Sequence, residues 1–145
     1  MINLRPATVE DIIATKARDL AEEHLPLVAN SLSMSVRALA GERDGRVLMV
    51  AGIVQAWPGC AEVWASVSKE LEATPIAAGR ATAQFLPALV DGLGLWRLQA
   101  TCSTQNVTSL RWLEWLGFQC EGIMRRYCPD GSDAFLMAQI LDEGK

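Results

Sequence analysis

The spacing of hydrophobic and polar residues changes several times along the chain, and each change predicts a different element. Residues 2–5 alternate between the two classes, which predicts a short strand. Thr8 and Asp11 form the capping pattern of a helix start, and apolar residues at helical spacing extend that helix to Ala21. A second, irregular helix is predicted over Leu25–Leu39, where a proline and several serines interrupt the pattern.

The rest of the chain alternates between strand and helix periods. Asp44-Gly45 predicts a tight hairpin, because both central residues of such a turn adopt positive φ. The predicted strands are Val47–Trp57, Cys60–Ser68, Trp96–Cys102, Phe118–Tyr127 and Asp133–Ile140. Helices are predicted at Ala77–Leu93 and from an Asn106 cap to Gly117. Strands and helices mixed in this order predict an α/β (α+β) fold.

Composition narrows the class of protein further. A chain of 145 residues with 50% hydrophobic and 21% charged residues predicts one soluble domain spanning 1–145. The net charge of -4 argues against a nucleic-acid partner and favours a cationic substrate. The opening residues lack a secretory apolar run, and no apolar stretch is long enough to cross a membrane, so we expect a cytoplasmic protein.

Cysteine and histidine are arranged unlike the ligands of a metal site. Cys60, Cys102, Cys120 and Cys128 include no CxxC pair, and His24 is the only histidine. We therefore expect no metal. Three of the cysteines fall in predicted strands, which favours small buried thiols over disulfide bonds.

A strand followed by a helix start built from small residues is a layout that can bind phosphate. The segment Thr74–Arg80 has this character, and free amides at a helix start attract anions. Alanine and glycine also begin ordinary helices, so the segment by itself favours a helix start without a ligand over an anion site.

Motifs in the second half of the chain resemble those of the GNAT N-acetyltransferases. These enzymes place a Gln/Arg-x-x-Gly-x-Gly/Ala loop before their central helix, and Gly79 followed by Arg80 matches its end. The segment 106–109 (Asn-Val-Thr-Ser) and then Gly117-Phe118 match the motif that often follows at the family's spacing. Residues 121–127 look like members that acetylate protein N-termini.

This resemblance implies a mixed sheet of six or seven strands with about four helices, and acetyl-coenzyme A as co-substrate. Asn106 would be both a helix cap and a contact to the pantetheine arm. The cofactor-binding residues implied by the resemblance are Val67, Ala77, Ala78, Gly79, Arg80, Asn106 and Ser109.

Several positions depart from the family pattern. Thr74 replaces Gln/Arg, Ala77 replaces the middle glycine, and Pro75 has no amide proton to donate. Leu113 stands where many members carry a tyrosine acid, and the only tyrosine is Tyr127. A non-catalytic assembly or binding protein with this fold is therefore the alternative function. Small acetyltransferase-like proteins of tailed bacteriophages show a similar erosion, which adds virion association as an alternative location.

Acetyl transfer to an amine requires a group that takes a proton from the ammonium. Glu62 on the predicted strand Cys60–Ser68 can act as that base, or it can be an ordinary solvated strand charge. Tyr127, as the only tyrosine, is the candidate for the acid that protonates the departing thiolate. Glu22, Glu23 and His24 end the first helix, where the family binds its acceptor amine, although a solvated helix end explains them as well.

The last predicted helix is apolar over a wide arc. Leu110, Leu113 and Leu116 can face the protein, which leaves Trp112 and Trp115 on another side. We expect the tryptophans to contact a second chain in a homodimer or larger assembly, with packing inside one chain as the alternative.

Overall fold

The computed structural model describes residues 2–16 and 25–141. The strands are β1 (Asn3–Pro6), β2 (Arg37–Arg43), β3 (Arg46–Trp57), β4 (Cys60–Val67), β5 (Arg97–Ser103), β6 (Gln119–Met124) and β7 (Ala134–Ile140). The helices within the described ranges are α1 (Val9–Thr15), α2 (Leu25–Met34), α3 (Lys69–Glu72), α4 (Pro75–Val90) and α5 (Val107–Trp115). The strands form one seven-stranded sheet in the order β1-β2-β3-β4-β5-β7-β6. The predicted mixed fold is confirmed.

The chain divides into two compact units. Of the described residues, unit 1 contains 2–16, 25–54 and 64–92, and unit 2 contains 55–63 and 93–141. The expectation of a single domain stays a prediction. Among the described residues, no helix has both the length and the apolar character that crossing a bilayer demands.

The start of α1 in unit 1 is held by a capping box. Thr8 accepts a hydrogen bond from the Asp11 amide, and the Asp11 carboxylate accepts one from the Thr8 amide. Arg5 donates two hydrogen bonds of 2.8 Å to the same carboxylate, which is buried. The Arg5 guanidinium and the Thr8 donors lower the pKa of Asp11 to about 2, although burial opposes the shift.

Helix α4 packs on the sheet of unit 1 through its apolar face. Phe85 and Leu89 are fully buried, and a side chain at Gly41 on β2 would meet the Phe85 ring at 2.8 Å. Arg37, at the start of β2, donates hydrogen bonds to the carbonyls of Ala88, Leu89 and Asp91 at the other end of the helix. A cation therefore satisfies carbonyls that the last helical turn cannot pair internally.

Some boundaries in unit 1 differ from the sequence prediction. The helix predicted over Leu25–Leu39 ends at Met34, because the residues from Arg37 onward pair with β3. Helix α1 ends at Thr15, and the remainder of its predicted length lies outside the described residues. The Asp44-Gly45 hairpin is confirmed, with φ of 54° and 76°. Helix α3 was not predicted, because one short turn carries no clear period.

Unit 2 is built around β5 and β7. Strand β4 runs parallel to β5, with register pairs from Cys60–Arg97 to Glu62–Gln99. Strand β7 lies between β5 and β6 and pairs antiparallel with both. Leu98 and Ala100 of β5 are buried, whereas Arg97 and Gln99 are only partly buried. One face of β5 is therefore apolar, and the other carries polar side chains.

The turn between β3 and β4 has a close aromatic contact. Gly59 adopts a φ of 99°, and a side chain there would meet the Trp96 ring at 2.3 to 2.4 Å. The Gly59 carbonyl also accepts hydrogen bonds from the amides of Trp96 and Arg97. Only glycine meets both the conformational and the steric requirement at this position.

The cysteines of the protein are free thiols, as expected. Cys60 and Cys102 are buried, but Cys120 is exposed on β6, so the prediction of a buried strand thiol is wrong there. Cys120 lies on β6, which is the edge strand of the described sheet and pairs with a neighbour on one side only. Burial raises the pKa of Cys102 to about 11, and the nearby thiols of Cys120 and Cys128 add to the shift.

Candidate active site

The predicted anion-binding segment lies at the amino end of α4 in unit 1. The helix begins after Thr74, with Pro75 in its first turn and no side-chain cap. The Ala78 amide already donates to the Thr74 carbonyl at 2.9 Å. The amides of Ile76 and Ala77 precede this first intrahelical bond, so the helix itself offers them no acceptor.

This geometry corrects the predicted span of amide donors. The sequence suggested amides from Ala77 to Arg80, but those of Gly79 and Arg80 lie inside the helix, like that of Ala78. Ala78 and Gly79 are buried, whereas Ile76 and Arg80 are exposed. The donor set of the helix start is therefore Ile76 and Ala77, and the small residues after them contribute packing. Val67 is the last residue of β4 and is partly buried.

Asn106 starts α5 in unit 2 as the sequence predicts. Its side-chain oxygen accepts a hydrogen bond of 3.1 Å from the Ser109 amide, and the Asn106 carbonyl accepts one from Leu110. The capping role is therefore confirmed. The predicted contacts of Asn106 and Ser109 to a pantetheine arm stay a prediction.

Glu62 lies at the last register pair between β4 and β5. Its Oε1 accepts a hydrogen bond of 3.1 Å from Gln99 Nε2. Gln99 Oε1 in turn accepts one of 3.0 Å from Arg97 Nε. The carboxylate is partly buried, so it is neither sealed in the core nor a freely solvated strand charge.

Arg97 extends these contacts to β6. Its two terminal nitrogens donate to the Glu121 carboxylate at 3.1 and 2.7 Å, a bidentate ion pair. The hydrogen bonds with Glu121 raise the pKa of Arg97, and those with Arg97 lower the pKa of Glu121. Sequence reasoning missed both Arg97 and Gln99. Their spacing of two on a predicted strand was the available signal, since it places them on one face.

Tyr127 follows β6 and is 55% exposed. Partial desolvation of the phenol raises the pKa of Tyr127, and the charge of Glu62 and the Cys128 thiol add to the effect. The charge of Glu62 is the link between these two predicted catalytic residues, and their joint catalytic role stays a prediction.

The tryptophans of α5 differ in exposure. Trp115 is 66% exposed, whereas Trp112 is partly buried. The Trp112 Nε1 atom is buried, and no hydrogen-bond acceptor for it lies among the described residues. Leu113, where the family tyrosine would stand, is also partly buried.

Two further predictions concern the site that binds the acceptor amine and the absence of a metal. Glu22, Glu23 and His24, the predicted acceptor-binding residues, lie outside the described ranges. Within the described ranges, no group of three or more His, Cys, Asp and Glu side chains is arranged to hold a metal ion.

Solved structures share this architecture over nearly the whole chain. They include a GNAT-family protein from Desulfovibrio desulfuricans, with a TM-score of 0.76 and 14% identity over 97% of this chain and 99% of that one. The protein has the GNAT acetyltransferase fold. No family model matches the sequence, and no curated protein matches it.

Two further solved structures with this fold are of proteins with a named cofactor or substrate. YncA from Salmonella typhimurium, solved with its cofactor acetyl-CoA, is 18% identical with a TM-score of 0.71, over 100% of this chain and 96% of that one. A chimera of the Vibrio cholerae spermidine N-acetyltransferase SpeG with hSSAT is 14% identical with a TM-score of 0.73, over 96% and 95%. The structural similarity shows the GNAT fold of the chain. At identities this low, it leaves the substrate open.

Proposed function

We propose that the protein is an acetyl-coenzyme A-dependent N-acetyltransferase that acetylates an amine, on a small molecule, a protein N-terminus or a lysine. The observation that carries the proposal is the partly buried Glu62 carboxylate, which a hydrogen bond from Gln99 holds on a GNAT fold. The acidic net charge of -4 agrees with an amine acceptor that arrives as a cation.

The residues present fit the cofactor in part. The first turn of α4 contains no acidic residue, and the free amides of Ile76 and Ala77 are suited to a diphosphate. Pro75 removes one donor from that turn, so the set of amides is smaller than a glycine-rich loop offers. We assign the diphosphate to this helix start with Arg80 nearby, and the pantetheine arm to Asn106 and Ser109.

Acetyl-coenzyme A supplies a thioester whose carbonyl carbon bonds to the amine nitrogen while its carbon–sulfur bond breaks. Glu62 takes a proton from the acceptor ammonium, which exposes the nitrogen lone pair. The Tyr127 phenol has an ordinary pKa of 10.0, which its surroundings raise, so it carries a proton at neutral pH and can transfer that proton to the departing sulfur. Leu113 cannot replace it, since a hydrocarbon side chain has no proton to give.

Two measurements on the full chain test the proposal. Calorimetric titration with acetyl-coenzyme A should show binding, and free thiol should then appear when spermidine, a lysine peptide or a peptide with a free N-terminus is added. Absence of binding would contradict the proposal. Binding without thiol release from any of these amines would instead favour a binding module.

The alternative is a non-catalytic protein that uses the GNAT fold for assembly or binding, including a place in a phage particle. The observation in its favour is the helix start with Pro75 in the first turn and no side-chain cap. Leu113 in place of the family tyrosine points the same way. A cytoplasmic enzyme and a virion component differ in whether the protein purifies with assembled particles.

We also propose that the protein forms a dimer or larger assembly through α5. Trp115 is 66% exposed, and a large aromatic side chain can bury roughly 150 to 250 Å2 at an interface. Trp112 contributes less than the sequence suggested, because its ring nitrogen is already buried within the chain.

A further inference from the structure

In unit 2, a series of hydrogen bonds between side chains ends at Glu62. Glu121 on β6 holds Arg97 in a bidentate ion pair, Arg97 donates to Gln99, and Gln99 donates to Glu62. Each hydrogen bond has a distance between 2.7 and 3.1 Å. The contacts therefore connect the carboxylate assigned as the base to a charged pair formed by Arg97 on the adjacent strand, β5, and Glu121 on the edge strand, β6.

The direction of these hydrogen bonds is fixed by chemistry. A guanidinium can only donate, so the atom of Gln99 that contacts Arg97 must be the amide oxygen. An ionised carboxylate can only accept, so the atom that contacts Glu62 must be the amide nitrogen. Both neighbours require the same orientation of Gln99, and a residue with a single kind of polar atom cannot satisfy them both.

We propose that Gln99 is a positioning residue, oriented by Arg97, that sets the Glu62 carboxylate for proton transfer. The inference rests on the proposed function of Glu62 as the base. Gln99 occupies Oε1, and no hydrogen bond to Oε2 is found among the described residues. In this proposal Oε2 takes the proton from the acceptor ammonium, and the Gln99 contact restricts the rotamers of the Glu62 side chain.

The kinetic test uses Gln99→Met, which keeps the side-chain length but removes both hydrogen bonds. We expect kcat to fall by about tenfold, since misplacing a catalytic group is costly, with KM for acetyl-coenzyme A unchanged. Gln119→Met is the matched control, because Gln119 is an exposed glutamine on β6 whose register partner, Ala138, also pairs with Gln99. Equal kcat for Gln99→Met and the wild type would overturn the proposal.

Arg97→Lys tests the orienting contact separately. Lysine keeps the positive charge near Glu121 but lacks the second donor group that reaches Gln99. We expect a smaller decrease in kcat than for Gln99→Met, and no further decrease when the two substitutions are combined. Independent, multiplying effects would show that Arg97 does not act through Gln99.

A second readout needs no enzymatic activity, because Tyr127 is the only tyrosine in the chain. Its phenolate absorbance during a pH titration reports the nearby charge of Glu62. Glu62→Gln should lower the Tyr127 pKa, and Gln99→Met should lower it part of the way by releasing the carboxylate into solvent. Gln119→Met should leave the Tyr127 pKa unchanged.

The two readouts separate the two hypotheses. If the wild type shows no turnover but Gln99→Met lowers the Tyr127 pKa, the proposed function fails, and only the structural part of the inference stands, that Gln99 holds the Glu62 side chain in place. If Glu62→Gln or Gln99→Met leaves the titration unchanged, Gln99 does not hold Glu62 near the phenol in solution and the inference fails. Circular dichroism of each variant shows whether it has folded.

Discussion

The amino end of α4 in unit 1 and the polar face of the sheet in unit 2 differ in how their hydrogen-bonding groups are paired. At the helix start, the amides of Ile76 and Ala77 have no acceptor inside the helix, and Pro75 offers no proton. On the sheet face, Arg97 and Gln99 each have a side-chain partner on both sides.

This difference indicates which property each region is built for. Backbone amides without internal partners are suited to an anion that the protein does not supply. Side chains that restrain one another are suited to holding a reactive group at a fixed place. We therefore expect changes at α4 to affect cofactor affinity and changes on the sheet face to affect turnover, with little overlap.

The largest effect is expected on the sheet face, for the turnover of Glu62→Gln. Glu62→Gln keeps an oxygen that can accept from Gln99 but removes the base, so turnover should fall by about 10²-fold. Affinity for acetyl-coenzyme A should not change. Initial rates and calorimetric titration measure the two quantities.

Glu114→Gln serves as the control for that variant, since Glu114 is an exposed carboxylate on α5 of the same unit. It should retain the wild-type rate. Full activity of Glu62→Gln would remove Glu62 from the mechanism and leave the sheet face with a purely structural role.

The second prediction tests the helix side with Ala77→Asp. A carboxylate in the first turn is favourable for the helix dipole, but it repels a diphosphate, so affinity for acetyl-coenzyme A should fall by about tenfold without loss of stability. Gly79→Asp is a poorer choice, because Gly79 is buried and an acidic side chain there would disturb folding.

Ala83→Asp is the matched control, since Ala83 is exposed in the middle of α4. Calorimetry should give it the wild-type affinity. If Ala77→Asp and Ala83→Asp bind acetyl-coenzyme A equally well, the assignment of the diphosphate to this helix start is wrong.

The third and smaller expected effect is the loss of stability in acid that Asp11 causes. Substituting Asp11 should change neither the start of α4 nor the polar sheet face. Folding lowers the pKa of Asp11 from 3.8 to about 2, so Asp11 stabilises the folded state above about pH 4, and this contribution is lost as the pH falls through 2. Allowing for the partial exposure of Arg5, it amounts to about 1 to 2 kcal/mol.

Urea unfolding of Asp11→Asn near pH 7 and in acid measures this contribution. The variant should be less stable than the wild type near neutrality, and the difference should disappear in acid. Asp44→Asn, in the exposed hairpin turn, should follow the wild-type curve. A difference of the same size at both pH values would show that the carboxylate charge is not responsible.

The smallest effect expected within a single chain is that of Trp115→Ala. A side chain that is 66% exposed contributes little to folding, so the free energy of unfolding should stay nearly unchanged. Sedimentation should nevertheless show weaker association than in the wild type. A wild type that is monomeric at high concentration would contradict the proposed interface.

The sequence predicted the order of elements and the local caps well. Thr8 with Asp11, Asp44-Gly45 and Asn106 all act through neighbouring backbone, so their roles can be inferred from a few residues. The three-residue parallel register that aligns Glu62 with Gln99 could not be predicted, because it depends on how distant strands pair.

The candidate site was predicted unevenly for the same reason. Glu62 and Tyr127 were selected by residue type, but the hydrogen-bond partner of Glu62 depends on the order of strands in the sheet. The amide donors of α4 were misplaced because the sequence could not locate the helix start to the residue. The helix begins two residues earlier than predicted, so of the predicted amides only that of Ala77 precedes the first intrahelical bond.

The contact between Gly59 and Trp96 has a consequence for how this sequence can drift over generations. With the tip of the indole 2.3 to 2.4 Å from where a side chain would begin, any replacement of Gly59 requires the half-exposed Trp96 ring to move. Exchanging Trp96 for a smaller residue would open the space, and the backbone conformation would still favour glycine. A change at Trp96 therefore removes the steric constraint on Gly59 and leaves the conformational one.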